Sequence, residues 1–149
     1  MNDIQKTQDA ATGAKDATAS PAGGASKPRP KSARRWAREF AVQALYEWLV
    51  AGHEAAAIRL RTEGEPDFKR CDRDFYRKLR AGITAESDTL TAIIQPHVDR
   101  PLPQISPIEH SIVLIGAWEL RHRLDIPYRV VINESVELAK TFGGTDGNK

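Results

Sequence analysis

Ser106-Pro107-Ile108-Glu109-His110-Ser111-Ile112-Val113-Leu114-Ile115-Gly116-Ala117-Trp118-Glu119-Leu120-Arg121-His122-Arg123 is the stretch that decides the fold. Ser106 can cap free helix amides, Pro107 suits the first helical position, and Glu109 stands where a capping box needs an acid. The run that follows is apolar nearly all round as far as Leu120. That pattern predicts a helix buried on every side, at the centre of an assembly of other helices. Arg121, His122 and Arg123 fall where a helix dipole favours cations.

The neighbouring segments supply those helices. Downstream, Pro127 opens one with Val131, Ser135, Leu138 and Phe142 along one line, and Gly143-Gly144 stops it. Thr145-Asp146 reads as the cap of a further helix, with Lys149 on its first turn. Upstream, Trp36, Phe40, Ala44, Leu45, Trp48 and Leu49 recur at steps of three and four from Ser32 onward, with Gly52 as a stop. Ala55 to Leu60 reads as a short second helix, and Gly64-Glu65-Pro66-Asp67 as a loop. A third helix is expected over about Asp72 to Ile83. A fourth should carry Leu90, Ile93, Ile94, His97 and Val98, with Pro96 kinking or ending it. Arg100-Pro101-Leu102-Pro103 reads as an extended connection. The pattern contains no convincing strand and no internal repeat, so the fold class is all-α, a compact bundle of six to seven helices.

The bulk numbers agree with a water-soluble domain. Of 149 residues, 40% are hydrophobic and 28% charged, which is enough for one core and no more. Residues 1–30 are mostly Ala, Gly, Ser, Thr, Pro and Asp and read as a disordered, low-complexity tail, with residues 31–149 as the helical domain. No run approaches the roughly 20 apolar residues of a membrane span. The N-terminus has neither a signal-type apolar stretch nor, with Asp3, Asp9 and Asp16, the character of a transit peptide. The single cysteine, Cys71, can form no internal disulfide and suits a reducing compartment, so the expected location is the cytoplasm.

Catalytic patterns are missing. The four histidines, His53, His97, His110 and His122, show no i, i+4 pair, and there is no HExxH or CxxC, so neither a metal nor another cofactor is expected. Phosphate-loop, dinucleotide and nucleophile-elbow motifs are also lacking. Glu134 and Glu137 stand one turn apart and read as a solvated helix face beside Lys140. The expectation is a binding protein, not an enzyme.

What remains is a concentration of cations. The net charge is only +2, yet Lys27, Arg29, Lys31, Arg34, Arg35 and Arg38 arrive with no acid until Glu39. Arg34 and Arg38 share a helix face. Guanidinium groups bind phosphates bidentately and stack on bases. Composition by itself leaves two readings open, a nucleic-acid contact or a solvated basic segment.

Ala33-Arg34-Arg35-Trp36-Ala37-Arg38-Glu39, continuing into Ala41-Val42-Gln43-Ala44-Leu45-Tyr46, resembles the opening helix of the NusB family. Asp125-Ile126-Pro127-Tyr128, with Ile132-Asn133-Glu134 and Glu137-Leu138-Ala139-Lys140, resembles its second signature. Phe142-Gly143-Gly144-Thr145-Asp146-Gly147 extends that likeness, which covers about residues 32–149. The resemblance implies an all-helical fold of two small subdomains and non-catalytic binding of the boxA element of ribosomal RNA leaders. It implies a heterodimer with NusE, a small-subunit ribosomal protein, inside an antitermination complex on RNA polymerase. Carried over by position, it makes Lys31, Arg34, Arg35, Arg38, His97, Phe142, Asp146 and Lys149 candidate RNA contacts and Glu109 a candidate NusE contact. Two departures stand out. Trp36 occupies a place where family members often have a third consecutive arginine. Asn148 replaces a histidine that opens the family's last helix, and the sequence stops at Lys149, so the domain reads as lacking its C-terminal helix. The alternative reading is a NusB-like N-terminal domain of an RNA cytosine methyltransferase.

Overall fold

A computed structural model describes residues 30–52 and 55–143, and among these described residues there are five α-helices: α1 (Ala33–Ala51), α2 (Ala55–Glu63), α3 (Arg73–Ile94), α4 (Pro107–His122) and α5 (Tyr128–Leu138). No strand occurs among the described residues, so the all-α reading holds. The expected count of six to seven does not. The third and fourth expected helices run end to end as α3, separated only by a kink where Glu86 has non-helical angles (φ −112°, ψ 16°). The Thr84 hydroxyl donates back to the carbonyls of Arg80 (2.9 Å) and Ala81 (3.1 Å) just before the bend. Back-bonding of this kind bends a helix without ending it. The helix start read at Thr145-Asp146, and the tail assigned to residues 1–30 apart from Pro30, lie outside the described residues.

The caps are where the sequence places them. Ser32 accepts the Arg35 amide, Asp72 the Phe75 amide and Ser106 the Glu109 amide. Gly52 ends α1 with φ 64°, a left-handed conformation that strains residues bearing a Cβ. Pro96 ends α3 in a 3-10 turn, Gln95–His97. Two connections are more ordered than expected. Pro66–Arg70 is a 3-10 helix that buries Phe68. Leu102–Gln104 is another, replacing the expected extended run. Leu102 is buried there, and its amide donates to the Gln95 side chain at 3.0 Å.

Helix α4 is the central helix. It packs against α1, α3 and α5. Its Ser111, Leu114, Ile115 and Glu119 are fully buried. Two glycines let neighbours come close. A Cβ at Gly82 would stand 2.5 Å from Trp118 Nε1, and one at Gly116 would stand 3.0 Å from Ser135 Oγ. One apolar cluster runs through α1, α3, α4 and α5, so the two implied subdomains do not appear as two cores. An apolar groove of about 570 Å³, lined by Leu90, Ile93, Ile112, Val113 and Leu120 among others, opens between α3, α4 and α5. Among the described residues no helix is long and apolar enough to cross a membrane.

Candidate nucleic-acid interface

The head of α1 meets the start of α3, the middle of α5 and the end of α4. The Asp72 amide donates to the Ala33 carbonyl at 3.0 Å, which ties α3 to α1 at this point. Asp72 therefore both caps α3 and lies 3.8 Å from the Arg34 guanidinium. Arg34 also covers the ring of Phe75, 4.9 Å from its centroid. Its side chain remains 42% exposed, with Lys31 at 39% and Arg35 at 35%, so all three present cationic groups to solvent.

Arg35 forms a fork with Glu134 on α5, Nε donating to Oε1 at 3.0 Å and Nη2 to Oε2 at 2.8 Å. That pairing holds the Glu134 carboxyl below the usual carboxylate range, against the opposing effect of burial. Glu134 was expected on a solvated face. It is instead a bridge between helices, while Glu137 is the half-exposed acid beside Lys140, at 3.4 Å.

Arg38 requires a correction. Its side chain is 4% exposed, and Nε and Nη2 donate to Glu119 at 2.8 and 2.7 Å. Glu134 lies 3.8 Å from its third nitrogen. An i, i+4 spacing puts Arg34 and Arg38 on one face of α1, but one turn farther along that face is covered by α4. A guanidinium enclosed this way orders the bundle and has no open side for a ligand. Glu119, the lone acid in the otherwise apolar middle of α4, was the signal for it. An acid buried among aliphatic side chains demands a buried cation.

The positive charge is thus matched, not free. Lys31, Arg34, Arg35 and Arg38 each have a carboxylate within 4.0 Å, from Glu39, Asp72, Glu134 and Glu119. Two further cations stand here that the sequence does not assign to this site, although Arg123 is legible as a helix-end cation. Arg123, at the end of α4, lies over Phe75 at 5.3 Å and pairs in a fork with Asp125. Arg70 lies 5.6 Å from the centre of the Trp36 ring. No local spacing links either to the head of α1; the fold alone brings them there.

The other candidates sit elsewhere. His97 is exposed and lines the apolar groove. Phe142 is half-buried and packs against the core, in the π turn Ala139–Gly143. Glu109 is exposed on the first turn of α4. Asp146 and Lys149 lie outside the described residues. Among the described residues no group of His, Cys, Asp and Glu is arranged to hold a metal ion.

The family model of the NusB family matches residues 35–149, more than three-quarters of the chain. The chain belongs to the NusB family. A transcription antitermination protein NusB from Paraburkholderia xenovorans is 49% identical over 119 residues, covering 80% of this chain and 83% of its own length. One from Thiobacillus denitrificans is 49% identical over 116 residues, 78% of this chain and 80% of its own. One from Hahella chejuensis is 48% identical over 116 residues, 78% of each. These NusB relatives bear the name of a transcription factor, not of an enzyme. Family membership gives the cationic head of α1 its context.

Proposed function

We propose that this protein is a non-catalytic RNA-binding antitermination factor of the cytoplasm. In this reading it takes boxA RNA as a heterodimer with NusE, within an RNA polymerase antitermination complex. The observation that carries the reading is the solvent-facing row of Lys31, Arg34 and Arg35 at the head of α1 in a chain of the NusB family. Phosphate oxygens would compete with Asp72 and Glu134 for these cations. Arg38 contributes by keeping α1 seated on α4. Asp146, Lys149 and Phe142 would extend the RNA contact beyond α5, and His97 would add to it. Exposed Glu109 would face NusE.

The test is a titration of boxA RNA and a scrambled RNA of equal length, with and without NusE. The expected result is tighter binding of boxA, strengthened by NusE, with a log affinity against log salt slope of about −3. Equal affinity for both RNAs at moderate salt with NusE present would overturn the reading.

A further inference from the structure

Trp36 begins the apolar stripe of α1, but its environment differs from the rest of that stripe. Phe40, Ala44 and Leu45 are buried, whereas Trp36 is only half-buried. Its indole is the outer end of a chain of aromatic rings that runs into the core. Trp36 stacks on Phe40 at 6.1 Å and 24°, Phe40 meets Phe68 at 5.4 Å, and Phe68 meets Tyr76 at 5.2 Å. The inner rings are immobilised by burial, so the orientation of the outermost ring is set before any ligand arrives.

Two cations from different elements converge on that ring. The Lys31 ammonium lies 4.0 Å from its centroid, from the segment ahead of α1, and the Arg70 guanidinium lies 5.6 Å away, from the 3-10 helix. Both remain in contact with solvent, the Arg70 side chain at 60% exposure and Lys31 at 39%. A rigid, half-open indole flanked by solvent-facing cations has the two elements that hold unpaired nucleotides, a π surface for a base and positive charge for the adjoining phosphates. The Arg70–Asp67 pair is exposed on both sides, contributes little and exchanges readily, whereas Lys31 is paired at 2.7 Å with Glu39, whose side chain is only 10% exposed. Arg70 can therefore turn to a phosphate, while Lys31 stays on Glu39 and keeps positive charge beside the ring.

We infer that Trp36, with Lys31 and Arg70 beside it, is a stacking platform for one unpaired base of a single-stranded RNA. This rests on the RNA-binding reading above and adds to it a contact that arginine at this position would make differently. Arg34 and Arg35 take phosphates; Trp36 takes a base.

The full chain is titrated with a 12-nucleotide single-stranded RNA while tryptophan fluorescence is followed. Trp36→Leu keeps apolar bulk but has no ring; Trp36→Phe keeps a smaller ring. The wild type should be quenched on binding. Trp36→Leu should lose that quenching and about tenfold in affinity, and Trp36→Phe most of the quenching but little affinity. A scan of the same RNA with single abasic positions should find one position whose loss weakens the wild type as much as Trp36→Leu does. That position should then no longer matter in the variant. Wild-type affinity in Trp36→Leu would overturn the platform while leaving the RNA reading in place. If Trp36→Leu fails to fold by its thermal melt, the abasic scan on wild type decides, and no base position controlling the quench would overturn it. Failure of the wild type to bind any RNA would end both.

Discussion

Two regions of this bundle meet on α5, at Glu134 and Ser135, and they are built on opposite principles. On the Glu134 side, charge faces charge at the head of α1, with a carboxylate against each cation from Lys31 to Arg38. On the Ser135 side lies the groove between α3, α4 and α5, where aliphatic side chains such as Ile93 and Leu120 stand 45% and 46% exposed. The first region is specified by pairing, so removing one member leaves its partner stranded. The second is specified by shape, so its floor matters and its open walls do not. Within the charged region the same contrast recurs between Arg38, enclosed, and Arg34, one turn away and open.

The strongest way to break the comparison is to strand Glu119. Arg38→Met should destabilise the fold by about 3–5 kcal/mol in urea unfolding, because it leaves a carboxylate buried without a cation. Combined with Glu119→Leu the loss should largely vanish. If Arg38→Met were harmless, the enclosed pair would not be what seats α1 on α4. A smaller loss tests shape. Gly82→Ala puts a methyl 2.5 Å from Trp118 Nε1. Despite the gain in helix propensity, it should cost about 1–3 kcal/mol in the same assay.

Arg34→Ala sharpens the contrast along α1. It should leave the melting curve nearly unchanged, weaken RNA binding several-fold and flatten the salt slope by about 1. A retained slope would move the phosphate contact away from Arg34.

The pH dependence is smaller and follows Glu134. Its folded pKa is lowered from an ordinary 4.5 by the Arg35 fork. The unfolded chain therefore binds its proton first as pH falls. The contribution is complete above about pH 5 and is lost as pH drops below 4.5 through the depressed folded value. Arg35→Gln should remove that part of the acid sensitivity, read from melting temperatures across pH 3 to 6 by calorimetry. Least of all, Leu120→Ser in the groove wall should change stability by less than about 0.5–1 kcal/mol while reducing binding of an apolar dye.

Helix starts and stops were legible because caps act over three or four residues. Ser32, Gly52, Asp72 and Ser106 do what their local chemistry dictates. The central place of α4 was legible in its apolar run, but not that one side of it, at Val113, Ala117 and Leu120, lines an open groove. The kink at Glu86 is legible as an interruption between two helical stretches, but a gap in the apolar pattern does not tell whether the second continues directly from the first. The candidate site was legible as a cluster of arginines, but not arginine by arginine, and nothing local assigns Arg70 or Arg123 to it.

The sequence by itself determined that this chain is helical, where most helices begin, which one lies at the centre and where its cations are concentrated. These follow from short-range hydrogen bonding and from the spacing of apolar residues along one helix. Tertiary structure alone decided that Arg38 turns inward to Glu119, that Arg35 reaches α5, and that Arg34 and Trp36 stay at the surface. The partners are 81 and 99 residues apart, and only the packing of one helix on another determines which charges lose their water and must find each other.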